Sequence, residues 1–580
     1  MPVLAILIAY IGIQSFAILG PYFPLDDLLE LWLVNTYDSG WQVFGPDCFH
    51  LFRPVKNLIF AFFSVVPSDM TWLCRVISIA IGCISIFPIL ALFRRIFRDE
   101  RLALFATAVW ALSPTLVSSV AWLSCVNIQV MCALAATTIV LHDKAFDNER
   151  FHGVFVCSAA LMMFFACVSY ELAVALCPLI VVFDFYLRDH RLYKKRTILV
   201  YLGYALITLL YLLLRWGAGA ASSLDGNFIG ATRQDMSLAS PFFIWQHLFT
   251  WFYPFGMMAP LGSYSPGDVP AIALVSCWIF VLLLIVASLV LRRRLTLPSF
   301  GIAFFLVAFL PVSNLLGLGN GPYGDYYMGL PSIGLSVLVV FVCAKLLSVK
   351  NRWRIFCFVI GVTIVASRCF AVPEAMRWAW LWSDGARAFR SGIDVFPNAF
   401  GNWKQYASIC YENGLFSEME ECCNWLEARL SPDSEKMIIV YQLRALVAMN
   451  VSKDPKLAMR NLDLAMQVKK DANRYRTTRY YRGCVYEDLL GDEKNAVMEY
   501  RAAIDGKWTP DSALAADRLA RLLAIRGEFD EAEALWERAA KLRPDDADIR
   551  HNLLQIKRVK TGLHKEHIDS DENGSQRVKL

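Results

Sequence analysis

From residue 2 to about residue 372 the chain is a succession of apolar runs, each near the length that carries a helix across a bilayer. About 20 apolar residues cross a hydrocarbon core roughly 30 Å thick. Inside lipid only helices and closed barrels satisfy every backbone N–H and C=O. No other feature narrows the choice of fold as far. The runs fall at 2–20, 73–93, 102–120, 129–141, 154–168, 173–185, 197–215, 271–291, 300–318, 330–347 and 355–372, which predicts about eleven spans. A shorter piece at 58–66 cannot cross and reads as a helix lying at the interface.

Basic residues set the orientation. One set of alternate loops holds Arg94, Arg95, Arg98 and Arg101, then Lys144 and Arg150, then "RDHRLYKKR", Arg292–Arg294, and the stretch from Lys345 to Arg354. The opposite set has almost none apart from Arg53, Lys56 and Arg233. Basic loops stay cytoplasmic. The expectation is an integral membrane protein with a cytoplasmic N-terminus and an extracytoplasmic C-terminal domain. The membrane is the plasma or inner membrane in a bacterium, the endoplasmic reticulum in a eukaryote. The first run lacks the basic start of a cleavable signal.

Beyond Pro373 the long apolar runs stop and charge becomes dense. Residues 513–544, "ALAADRLARLLAIRGEFDEAEALWERAAKLRP", place Leu519, Ala520, Leu523, Gly527, Phe529, Ala532, Trp536, Ala539 and Pro544 at tetratricopeptide-repeat positions. Small residues let two antiparallel helices approach, Gly turns the chain and Pro ends the unit. Gly491, Ala496, Tyr500 and Ala503 repeat the pattern, and Ala458, Leu462 and Ala465 suggest another copy. About four units are expected, since at least three bury a continuous core. The predicted fold is all-α throughout. Residues 1–373 form the membrane domain, 374–562 the helical repeats, and 563–580 a polar, disordered tail.

The sixteen cysteines are scattered without paired CxxC spacing and read mainly as small core residues. Cys410, Cys422 and Cys423 could pair if their side is oxidising. The net charge of +5 says little by itself, and no nucleic-acid partner is expected.

The candidate chemistry lies on the outer face. "GPYFPLDDLLELW" follows the first apolar run, with Asp26 and Asp27 adjacent. Either they cap the following helix or one serves as a base, its pKa raised by its like-charged neighbour. Glu171 sits between two apolar runs, where an ionisable group is costly and points to function unless paired. Arg215 ends a run and either snorkels or meets a phosphate. Arg53, Lys56 and Asp325 map to the same face. No metal constellation is visible, although carboxylates on one face could hold a divalent ion.

The order of "FPLDDLLELW", "HLFRPVKNLIFAF", "SPTLVSSVAWLSCVNIQVMCALAATTI", "SYELAVALCPLIVVFDFY", "YLLLRWGAG" and "LPVSNLLGLGNGPYGDYYMGLPSIGLS", with repeats after the last span, resembles the GT-C membrane glycosyltransferases that carry C-terminal tetratricopeptide repeats. In particular it resembles the transmembrane-and-tetratricopeptide protein O-mannosyltransferases and their bacterial relatives. The resemblance implies transfer of a sugar from a polyprenyl-phosphate donor to a protein or glycan acceptor outside, with the repeats binding acceptor or partner. It implies Asp26 or Asp27 as base, with Arg53, Glu171 and Arg215 at matched positions; Lys56 and Asp325, on the same face, are the further donor-binding candidates. Where relatives carry His-Pro and a Glu this chain has Ser113-Pro114 and Ser118. Where they carry Gly-Arg and an Asp it has Cys125-Val126 and Ile128, and where they carry Glu-Arg it has Asp325-Tyr326. These departures keep open a second expectation, a membrane-anchored scaffold whose repeats bind protein.

Overall fold

The computed structural model describes residues 2–18, 20, 26–35, 37, 39–47, 51–67, 70–147, 150, 152–192, 194–219, 233–255, 269–315, 324–348, 354–397, 399–432, 434, 436–468, 472–506, 510–543 and 546–572. Among these there is no strand, and the chain is all-α. It divides into two compact units, Met1–Glu30 with Ser39–Tyr406, and Leu31–Asp38 with Ala407–Leu580.

The first unit begins with α1 (Pro2–Gln14), α2 as far as Glu30 (Asp26–Asn35 in full), α3 (Pro54–Phe63), α4 (Thr71–Phe97), α5 (Glu100–Ala111) and the single turn α6 (Ser118–Ala121). It continues with α7 (Val126–Asp147), α8 (His152–Ser169), α9 (Leu176–Leu187), α10 (Lys195–Gly217), α11 (Arg233–Leu238) and α12 (Ser240–Phe252). It closes with α13 (Ala271–Val290), α14 (Thr296–Phe309), α15 (Pro331–Ser348), α16 (Arg354–Trp382) and α17 (Gly385–Val395).

By length and composition, six helices among the described residues could cross a membrane: α4, α7 with its leading turn, α8, α10, α13 and α15. The bent pair of α5 and residues 114–121 makes a seventh if counted as one span. The difference from about eleven has local causes. Pro114 lacks an N–H and disfavours helix at the residue before it, and the chain bends by 60° there. Residues 173–185 open in a 3-10 turn, which leaves α9 with 12 residues, about 18 Å of rise and too short for the core. Pro311 follows the 14-residue α14, and α1 has 13 residues. The last expected span lies within the 29-residue α16.

Burial differs sharply among these helices. α7 is packed on most of its surface, whereas α13 exposes Ile272, Leu282, Leu283 and Val290. A helix apolar all round with its large side chains exposed suits a lipid surface. α14 and α15 approach backbone to backbone at Gly301 and Gly334, where a Cβ on Gly301 would lie 2.6 Å from the Gly334 carbonyl oxygen. Small residues permit such contact between apolar helices.

The broken segment 113–125 keeps its backbone bonded from outside. Ser78 on α4 donates to the Val120 carbonyl at 2.8 Å, and Arg75 donates to that of Ala121. Gln129 on α7 donates to Ser119 at 2.5 Å and accepts from Ser85 at 3.0 Å. Irregular backbone at membrane depth is tolerated when protein groups bond it.

The second unit contains α18 from Ala407 onward (Phe400–Glu412 in full), α19 (Phe416–Glu427), α20 (Met437–Asn450), α21 (Pro455–Gln467) and α22 (Ala472–Cys484). α23 (Glu493–Ile504), α24 (Pro510–Ile525), α25 (Phe529–Leu542) and α26 (Ala547–Glu572) follow. α20 packs on α21, α22 on α23, and α24 on α25. The core is built of the expected small residues, Ala458, Ala496, Ala503, Ala520, Ala532 and Ala539, filled by Leu519, Leu523, Tyr500 and Trp536. Gly527 turns α24 into α25 at φ +82°, a conformation that costs glycine nothing. Pro544 lies outside the described residues, as do 573–580 of the expected tail. Cys410, Cys422 and Cys423 are buried.

Candidate functional site

The first contributor is α2. Asp27 and Glu30, three residues apart, share one helical face, and both are fully buried. Asp27 Oδ1 accepts from the backbone N of Ser124 at 2.8 Å and from its hydroxyl at 2.7 Å. The side chain of Asp26 lies outside the described residues.

The second contributor is α3. Arg53 is its N-cap, at φ −133° and ψ 64°, and Pro54 opens the first turn, where its missing N–H costs nothing. Lys56 and Asn57 follow on the buried side. Asn57 donates to the carbonyls of Val43 at 2.9 Å and Gly45 at 3.1 Å, which pins the loop that carries Asp47. Asp47 Oδ1 in turn accepts from the Leu51 backbone at 2.9 Å.

The third contributor is the break between α8 and α9. The chain is extended at Tyr170 (φ −160°, ψ 140°), and Glu171 opens the turn that follows. Asn127 on α7 donates to the Ser169 carbonyl at 2.7 Å, satisfying the backbone next to this break.

These pieces meet in one buried ion network. Arg53 forks onto Glu171 through Nε–Oε2 at 2.9 Å and Nη2–Oε1 at 2.5 Å, and its Nη1 lies 3.7 Å from Asp47. Its guanidinium also stacks over the Tyr170 ring, 4.2 Å from the centroid. Lys56 Nζ sits between Glu30 Oε1 at 2.5 Å and Asp47 Oδ2 at 2.6 Å. Burial pushes the Asp47 carboxyl up, but Lys56 and Arg53 outweigh it and hold that group below its ordinary value. Charges this deep persist only when paired and hydrogen-bonded. Three acidic side chains, Glu30, Asp47 and Glu171, here meet two basic ones, Arg53 and Lys56.

Asp325 forms a separate centre. Its Oδ1 accepts from Ser118 Oγ at 2.6 Å and the Tyr326 backbone at 2.9 Å, and its Oδ2 accepts from Trp378 Nε1 at 2.8 Å. Burial pushes this carboxyl up to about 7, past the effect of those three donors. His247 on α12 lies against the same turn, its Nε2 3.2 Å from the Gly324 carbonyl oxygen. Asp27 and Asp325 are thus held by two serines of one irregular segment, Ser124 and Ser118.

Arg215 is buried near the end of α10. One turn before it, Tyr211 packs on Phe52, the neighbour of Arg53, at 6.2 Å. Beside the network runs an apolar groove of about 620 Å³, lined among others by Trp41, Phe52, Pro54, Leu58, Phe165 and Leu213. No group of three or more His, Cys, Asp or Glu side chains among the described residues could hold a metal ion.

Sequence reasoning missed Glu30, Asp47, Ser124 and Trp378 as partners. Glu30 was readable from its spacing to Asp27. Asp47 had no signal, because its place depends on a loop pinned from α3.

The fold and its apolar helices are consistent with an integral membrane protein that carries a C-terminal tetratricopeptide region. Residues 513–556 match the tetratricopeptide repeat family model. The chain is similar to a thermophilic TPR protein of Thermus thermophilus (22% identity, TM-score 0.24, 34% of this chain and 95% of that one). It is also similar to the Archaeoglobus fulgidus oligosaccharyltransferase, crystallised tethered to an acceptor peptide with an NVT sequon (14% identity, TM-score 0.38, 85% of this chain and 71% of that one). With TM-scores this low, neither likeness bears on what this chain does. No curated protein matches it.

Proposed function

We propose that the chain is a membrane glycosyltransferase that moves a sugar from a polyprenyl-phosphate donor to a protein or glycan acceptor on the extracytoplasmic side. The repeats would hold the acceptor or a partner. The observation that carries this reading is the convergence of Arg53, Lys56 and Glu171, with Glu30 and Asp47, into one buried network beside Asp27 and an apolar groove. Arg53 and Glu171 are 118 residues apart in sequence.

In this reading a carboxylate of Asp26 or Asp27 takes the proton of an acceptor hydroxyl. The hydroxyl oxygen bonds to the anomeric carbon as the bond from that carbon to the phosphate oxygen breaks. Polyprenyl phosphate leaves with the electron pair. Arg215 suits the phosphate, since a guanidinium stays charged and matches its oxygens. Arg53 and Lys56, already bound to carboxylates, supply a fixed field with little reorganisation. The groove suits the isoprenoid chain, and Asp325 the sugar hydroxyls. Radiolabelled polyprenyl-phosphate sugars incubated with membranes holding the full chain should yield labelled acceptor. Label no higher than in membranes without the chain contradicts the reading.

One observation favours a second reading, a protein-binding scaffold. Asp27 and Glu171 are fully buried, and two Ser124 donors already fill Asp27 Oδ1. A scaffold would show no transfer with any donor while its repeats still bind protein.

A further inference from the structure

Arg368 lies within the last expected span, about 21 Å along α16 from its start at Arg354. A cation there is expensive and is ordinarily paired. Instead its Nη1 donates to the Trp251 carbonyl at 2.9 Å and its Nη2 to that of Phe252 at 2.7 Å. These are the last carbonyls of α12, which have no partner inside their own helix. The guanidinium also rests 4.8 Å from the Trp251 ring centroid. A guanidinium has five N–H donors, and these two bonds leave the rest of the fork uncommitted. Among the described residues no carboxylate lies within ion-pair distance of Arg368.

Arg368 also lines a cavity of about 110 Å³ whose other walls include Phe105, Leu112, Val365 and Val372. Nearby on α16, Phe358, Val362 and Phe370 are exposed. The site therefore joins one uncompensated positive charge to apolar walls on a lipid-facing helix. We infer that it holds an anionic phospholipid of the surrounding bilayer, with the phosphate on Arg368 and part of an acyl chain against Phe105, Leu112 and Val365. Charge complementarity selects the phosphate, and arginine's planar fork suits two of its oxygens. The apolar walls select a lipid over a soluble anion. This inference stands apart from the transfer reading.

The test is native mass spectrometry of the detergent-purified full chain, titrated with phosphatidylglycerol and with diacylglycerol of the same acyl chains. Phosphatidylglycerol should bind about tenfold tighter or more, the scale of a charge-assisted hydrogen bond. Arg368→Gln should abolish that difference, and Arg368→Lys should restore part of it. Inorganic phosphate at millimolar concentration should not compete. In a parallel thermal unfolding series, phosphatidylglycerol should raise the midpoint of the parent and not that of Arg368→Gln. Equal binding of the two lipids overturns the inference, as does an unchanged preference in Arg368→Gln. Competition by inorganic phosphate would make the site one for a soluble anion and overturn the lipid assignment. Stronger retention of polyprenyl phosphate than of phosphatidylglycerol would overturn the choice of lipid. If Arg368→Gln loses stability equally with and without lipid, the arginine only caps α12.

Discussion

Arg53 and Glu171, 118 residues apart, face each other as a buried two-pronged ion pair with contacts of 2.9 and 2.5 Å. Neither side chain is more than 5% exposed. Removing one partner of such a pair strands a charge and costs about 3–5 kcal/mol, whereas replacing both by apolar groups is often near neutral. Glu171→Ala and Arg53→Ala should each lower stability in detergent by about that amount. Arg53→Met combined with Glu171→Leu should lose clearly less than the sum. Additive losses in the double variant would mean that the two residues are not coupled.

Asp325 makes stability depend on pH. Its folded pKa of about 7 lies above an unfolded value of about 4. Between those values the folded chain binds more protons than the unfolded chain, so stability falls as pH rises. Thermal midpoints should drop between pH 5 and pH 8, and Asp325→Asn should flatten that slope. An identical slope in parent and variant would show that Asp325 does not titrate in this window.

Much of this was legible in the sequence, for identifiable reasons. Glu171 stood out because an ionisable group between two apolar runs demands a partner, and Arg53 and Lys56 because the outer loops hold almost no other basic residues. Ala496, Ala532 and Trp536 stood out because repeat packing alternates small and large residues at fixed spacing. The breaks were less legible, since hydropathy averages over Pro114 and Pro311 although each ends a helix. Hydropathy gave about eleven runs, whereas six helices among the described residues, or seven with the bent pair, are each long and apolar enough to cross a membrane. Asp47 was hidden because only the tertiary bonds of Asn57 bring its loop over Lys56.

The orientation inferred from basic loops predicts reporter behaviour. A reporter active only outside the cytoplasm should work when fused after Lys560 and be silent within "RLYKKR", residues 191–196. An active cytoplasmic reporter after Lys560 would place the repeats inside.

In the repeat region Trp536 is nearly fully buried and donates through Nε1 to Asp517 at 2.8 Å. Trp536→Ala should destabilise a fragment of residues 407–572 by roughly 3–5 kcal/mol, read by urea unfolding followed by circular dichroism. A loss below about 1 kcal/mol would be a surface effect and would contradict this packing.

The transfer reading rests most directly on the acidic pair at the start of α2. Asn can accept the two Ser124 bonds that Asp27 now receives, so Asp27→Asn should fold and insert like the parent, and Asp26→Asn keeps a helix-capping side chain. The measurement is the rate of transfer from radiolabelled polyprenyl-phosphate monosaccharide, in membranes matched for the amount of folded chain, for parent, Asp26→Asn and Asp27→Asn. The account predicts a loss of about 10²-fold or more in at least one variant, the scale of removing a positioned base, with unfolding temperature little changed. Full transfer by both variants would contradict it.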